Sequence, residues 1–297
     1  MRAVLLVGYG SVLPGIGTAM IRLAARISAA GIAPIAAAGF IAGCRPTFNE
    51  ALESCIACGA TDIIVQPYAL VEDTPIRRDL RRLVNMGRAA HPNVLLRVTR
   101  PFGDHPAIAQ VVMQRATEVD YARSHGVEHL PLMNAHEHNV SRPPANLYAR
   151  RQDGKGFEVA QDRWRPLFID HTTGLVLVAH GSSKPSWDWP VSAAAEWIRI
   201  NARYTAVGVG FTDGNRPSLD QVIDQMAERV RYLILSPFML QLTADDTDLL
   251  TNAAQAGEQR HPGLNILISD HLNYDRRLLQ AIGDRVAEAA APRRQAS

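Results

Sequence analysis

Leu5-Leu6-Val7-Gly8-Tyr9-Gly10-Ser11 parallels Val176-Leu177-Val178-Ala179-His180-Gly181-Ser182 at an offset of 171 residues. Each stretch is a short apolar run of strand type that leads into a polar aromatic residue and a Gly-Ser loop. Gly39-Phe40-x-x-Gly43-x-Arg45-Pro46 recurs as Gly210-Phe211-x-x-Gly214-x-Arg216-Pro217 at the same offset. Ile63–Tyr68 recurs as Leu233–Phe238, and His91-Pro92 as His261-Pro262, both at 170. Matches in order, with one residue of drift, mark an internal duplication.

Each copy reads alike. The first strand is Val4–Val7 or Leu175–Val178, followed by a helix over Ile16–Ala30 or Val191–Asn201. A second strand covers Ile35–Phe40 or Ala206–Phe211, and Pro46 or Pro217 precedes a helix with Thr47 or Ser218 as its cap. The third strand is Asp62–Gln66 or Tyr232–Leu235, and a helix follows over Ile76–Ala90 or Thr247–Gln259. Strands at Val94–Val98 and Leu264–Ile268 lead into last helices at Ala107–Ser124 and Arg276–Ala290. Strands alternating with helices predict an α/β fold: two tandem homologous domains, each a four-stranded parallel sheet flanked by helices. The expected divisions are 1–124, a linker or insert at 125–172, a second repeat at 173–291 and a tail at 292–297. Sites in such sheets lie at the strand C-termini, in the loops after Val7, Gln66, Val178 and Ser236.

Composition narrows the classes. The chain has 297 residues, 47% apolar and 20% charged, with net charge +2, an ordinary soluble globular balance that gives no reason to expect nucleic-acid binding. Three cysteines cannot make a disulfide framework and suit a reducing, cytoplasmic setting. The uncharged run from Ile27 to Cys44 is broken by Gly31, Pro34 and Gly39, so it reads as helix end, turn and strand rather than a membrane span. The apolar start resembles a leader only faintly, because the repeat makes Val4–Val7 a structural strand.

His180 is the leading chemical candidate: it ends a buried strand, where imidazole can ligate a metal or take a proton near neutral pH. Tyr9 holds the matched place. Asp245, Asp246 and Asp248 on one loop, and Glu72 and Asp73 on its counterpart, are candidate acids, unless they serve only the helix dipole. A nitrogen ligand with hard oxygens suits Co(II), Ni(II) or Fe(II). His125, His129, His136, Glu137, His138 and His171 form a histidine-rich middle stretch, and Trp164, Trp187 and Trp189 offer stacking faces. Arg77, Arg78, Arg81 and Arg82 pair at helical spacing, with Arg88 after them, and either meet carboxylates or form a solvated face. Cys55-Ile56-Ala57-Cys58 falls at a helix end, the wrong pole for an active dithiol. Gly8-x-Gly10 lacks the third glycine of a dinucleotide loop.

The order of these motifs, twice over, resembles the sirohydrochlorin chelatases of the CbiX type, which insert cobalt or ferrous iron into sirohydrochlorin. The resemblance covers both repeats and excludes the middle segment. It implies a two-copy long form, a divalent metal as substrate, no organic cofactor and a tetrapyrrole partner in the cleft between the domains. It brings no membrane or nucleic-acid partner and leaves a homodimer open. His180 and Asp245 are then the implied metal ligands, with Tyr9 joining them in catalysis from the other copy. Ser11, Ser182, Arg45 and Arg216 are candidate substrate contacts. The chain departs from the family pattern at Tyr9, and at Pro75 and Asp245, where further histidines are expected. A non-catalytic metal or tetrapyrrole carrier is therefore the alternative, with an enzyme of changed chemistry behind it.

Overall fold

The computed structural model describes residues 1–10, 16–71, 74–125, 148–150, 157–159, 172–181, 184, 188–273 and 275–291. The first repeat contains β1 (Arg2–Gly8), α1 (Ile16–Ala29), β2 (Ile35–Phe40), α2 (Phe48–Ala57), β3 (Asp62–Pro67), α3 (Thr74–Ala90), β4 (Leu95–Val98) and α4 (Pro106–His125). A short antiparallel pair follows, β5 (Tyr148–Arg150) with β6 (Phe157–Val159), in the stretch that shows little pattern in the sequence. The second repeat contains β7 (Thr173–Ala179), α5 (Trp189–Asn201), β8 (Ala206–Phe211), α6 (Leu219–Ala227), β9 (Tyr232–Pro237), α7 (Ala244–Arg260), β10 (Asn265–Ile268) and α8 (Arg277–Ala290).

Both main sheets are parallel and follow one plan. The orders are β2-β1-β3-β4 and, read from the other edge, β8-β7-β9-β10. Val4 sits opposite Ala36 and Ile64, and Val176 opposite Gly208 and Leu235. Nearly continuous apolar strands follow from burial on both faces. The strand order reverses between β1 and β3, and between β7 and β9, and such switch points open a crevice at the carboxyl ends of the strands. Tyr9 and His180 immediately follow β1 and β7 there.

The outer faces are covered locally. α2 and α3 pack on Ala3, Leu5 and Val7, while α6 and α7 pack on Val176 and Val178. The inner faces are covered partly by α1 and α5 of their own repeats and partly by exchange. α4, from the first repeat, lies against β9 of the second; α8, from the second, lies against β3 of the first. The two exchanged helices also pack on each other, and one apolar cluster runs through both repeats, from Val4 and Leu6 to Leu175 and Leu177.

Matched buried arginines fix this exchange. Arg115 on α4 donates to the carbonyls of His271 at 3.1 Å and Asn273 at 2.9 Å, and pairs with Glu118 at 3.1 Å. Arg285 on α8 donates to the Pro101 carbonyl at 3.2 Å, meets Asp104 and pairs with Glu288 at 3.0 Å. Arg115 and Arg285, like Glu118 and Glu288, are separated by the repeat offset of 170. No helix among the described residues is long and apolar enough to cross a membrane.

Candidate functional site

The site grows from β7. Gly181 follows His180, and a Cβ there would lie 1.7 Å from the Asp213 carbonyl oxygen, so only glycine lets the loop after β8 come this close. Gly181 N–H donates to Asp213 Oδ1 at 2.6 Å. The approach sets the Thr212 hydroxyl 3.1 Å from His180 Nδ1. The other ring nitrogen, Nε2, stands 3.2 Å from Asp246 Oδ1. The imidazole remains about half exposed while the Asp246 side chain is 11% exposed, so the carboxylate backs a ring that solvent and ligand can reach.

Asp246 is placed by helix capping. Thr243 is the N-cap of α7, and its hydroxyl accepts from Asp246 N–H at 3.1 Å. In return Asp246 Oδ2 accepts from Thr243 N–H at 2.9 Å and from its hydroxyl at 2.7 Å. Oδ2 is thus occupied and Oδ1 presented to His180. Asp245, Asp246 and Asp248 therefore stand on the helix rather than on a loop, because the capping box starts α7 three residues before the apolar periodicity suggests.

The first repeat builds a different arrangement at the matched place. Tyr9 donates its hydroxyl to Asp79 Oδ2 at 2.6 Å, and Arg78 Nε donates to Asp79 Oδ1 at 3.0 Å. Arg78, and then Tyr9, hold the Asp79 carboxyl below the usual carboxylate range. Tyr9 thus engages an acid of its own repeat.

Asp245 is exposed and lines a cavity of about 610 Å³ along α7, with Thr212, Asp220, Asp248, Asn252 and Arg260. The acid at ion-pair distance from His180 is its neighbour, Asp246. Arg45 is 85% exposed and stands 3.6 Å from Glu50; Arg216 is exposed at the matched position. Arg88, grouped by sequence with the α3 arginines, donates to the Leu96 carbonyl at 2.7 Å and serves packing. Cys55 is buried and its thiol pushed up to about 11 by desolvation, whereas Cys58 is exposed. Ser11, Ser182, Glu72, Asp73, Trp164, Trp187 and the histidines at 129, 136, 138 and 171, with Glu137, lie outside the described residues, as does the His125 side chain. Trp189 is described and exposed, at the start of α5. Among the described residues, no group of three or more His, Cys, Asp or Glu stands together as a metal cage.

Three residues of this constellation escape a sequence reading: Thr212, Asp213 and Asp79. Asp246 is visible as one acid among three, and the signal that separates it is the Thr243-x-x-Asp246 spacing of a capping box.

The CbiX family model matches residues 3–119 and 174–289, most of both repeats. The sirohydrochlorin cobaltochelatase of Saccharolobus solfataricus is 30% identical over 124 residues, 40% of this chain and 95% of the relative. The chain spans 26% and 60% of the length of the sirohydrochlorin cobaltochelatases of Priestia megaterium and Methanocaldococcus jannaschii that it matches. Among solved structures, SirB from Bacillus subtilis with Fe3+ superposes with a TM-score of 0.72 at 18% identity, covering 98% of this chain and 96% of that one, a likeness of fold.

Proposed function

The chain belongs to the CbiX family, and from that premise we propose that it inserts a divalent metal ion into sirohydrochlorin, with His180 and Asp246 presenting the ion. The observation that carries this reading is the 3.2 Å between His180 Nε2 and Asp246 Oδ1. Two ligands on adjacent corners of a metal shell, each bonded at about 2.1 Å, stand about 3.0 to 3.4 Å apart.

The hydrogen bonds around the ring favour that use. Thr212 has one hydroxyl proton. Donated to Asp213 Oδ1, 3.4 Å away, it leaves the hydroxyl oxygen to accept from His180 Nδ1–H. Nε2 then carries the lone pair that a metal needs. A two-donor site leaves the remaining coordination positions to water and to macrocycle nitrogens. Insertion exchanges two pyrrole N–H protons for one M2+. As the ion passes to the macrocycle, Nε2 and Oδ1 are freed, and they are the bases beside the protons that leave. The nitrogen-plus-oxygen donor set suits Co(II), Fe(II) or Ni(II).

The test is an anaerobic absorbance time course with catalytic protein, excess sirohydrochlorin and each metal in turn. Many turnovers above the uncatalysed rate, lost in His180→Ala, are expected. A spectral change that saturates at one equivalent would replace the enzyme with a carrier. No change with any metal would remove the tetrapyrrole reading.

A further inference from the structure

The starts of α3 and α7 follow the third strands of their sheets, at matched places, and they carry opposite charge. α7 opens with Asp245 and Asp246, with Asp248 close behind. α3 has no acid in its first turn, and instead exposes Arg77, Arg78, Arg81 and Arg82. The positive pole of a helix dipole favours the acids that open α7, whereas α3 begins at Thr74 and carries three of its four arginines beyond its first turn, where the dipole gives no reason for them.

Helical spacing sets Arg77 beside Arg81 and Arg78 beside Arg82, so two rows of guanidinium forks share one surface. Among the described residues a single carboxylate sits with them, Asp79, held by Tyr9 and Arg78. Arg81 and Arg82 have no carboxylate within ion-pair distance among the described residues. Through the Tyr9–Asp79 bond the cluster is tied to the carboxyl end of β1, the place at which the other repeat carries His180.

We propose that this cluster binds the carboxylate arms of a polyanionic macrocycle, one repeat handling the metal cation and the other the anionic ligand. The proposal rests on the tetrapyrrole reading above. Planar guanidinium forks pair with carboxylates in bidentate fashion, and several forks a helical turn apart suit a ring whose arms leave it in different directions. Asp79 anchors Arg78, so one fork is already ordered before the ligand arrives.

The experiment is a fluorescence titration of the full chain with uroporphyrin, whose pyrroles all carry acetate and propionate arms, at low ionic strength. Arg78→Gln/Arg81→Gln/Arg82→Gln is expected to weaken binding ~10-fold or more, and the matching Lys variant to recover part of it. Arg22→Gln/Arg26→Gln, exposed on α1, is the charge control and should match the wild type. Salt should weaken the wild type and leave the Gln variant nearly flat. Co(II) affinity, read by competition with a chromophoric chelator, should not change. Arg81→Gln alone gives an independent measure if the triple variant misfolds, with roughly threefold weakening expected. Wild-type affinity in the Gln variants would overturn this placement and leave the chelatase reading intact. If the wild type bound neither uroporphyrin nor sirohydrochlorin, both would fall together.

Discussion

At His180 one ring nitrogen faces a hydroxyl and the other a carboxylate. An imidazole at a strand end is legible in the sequence; the groups that aim it come from loops and a helix start distant along the chain, so they are not. This separates residues that look equivalent in sequence. Asp246→Asn is expected to weaken Co(II) binding far more than Asp245→Asn, because only Asp246 presents an oxygen to Nε2; chelator competition measures both. Thr212→Val removes the partner of Nδ1 without touching the proposed metal ligands. Loss of such a supporting contact lowers metal affinity or activity roughly 10- to 100-fold. The cysteines offer a second residue-scale contrast. Burial raises the Cys55 thiol to about 11, so its folded pKa lies above that of an unfolded thiol. The stability it contributes is present below the unfolded value near 9 and is lost as pH rises toward about 11. Thiol labelling at mildly alkaline pH should therefore modify Cys58 quickly and Cys55 only on unfolding.

Helix starts carry both structure and chemistry. Thr47 with Glu50 and Ser218 with Gln221 close capping boxes at α2 and α6, and those starts are legible because a proline and a cap residue announce them. The Thr243–Asp246 box was just as open to reading, yet three acids within four residues make a loop reading natural and obscure which one turns inward. The same motif has different consequences at its different sites. Ser218→Ala should cost about 1 kcal/mol of stability, the usual worth of a cap, with metal insertion unchanged. Thr243→Ala should cost a similar amount and also lower insertion, because it removes the hydroxyl bond to Asp246 Oδ2, leaves only the backbone N–H there, and loosens the aim of the carboxylate at His180. Denaturant midpoints and initial rates on the two variants separate these outcomes; equal losses of rate would show that α7 stability, rather than the aim of Asp246, governs the site.

The duplication reveals two sheets of identical order, but no sequence pattern states which sheet a helix covers. α4 and α8 are apolar on the faces they bury whether they lie on their own repeat or its partner, so the exchange was hidden. Its trace is the Arg115/Glu118 and Arg285/Glu288 pairs, which resemble ordinary surface pairs until burial is known. The exchange makes each half's core depend on a helix from the other, so the halves should unfold as one unit. The chain supplies reporters for both. All four tryptophans lie from residue 164 onward, with Trp197 against the shared cluster, while Cys55, on the buried face of α2, is sealed in the core that α2 and α3 form on the first sheet. In urea, tryptophan fluorescence and Cys55 labelling should share one midpoint. Arg285→Ala removes the donor to the Pro101 carbonyl and one of the two arginines on Asp104, the other being Arg100 at 3.0 Å, while leaving the α2–α3 core untouched. Losing the hydrogen bonds of a buried charged group costs about 1.5–3 kcal/mol. If the exchange couples the halves, that loss made on α8 will lower the Cys55 midpoint as much as the tryptophan midpoint; if only one of the two moves, the halves are energetically separate in spite of their crossed helices.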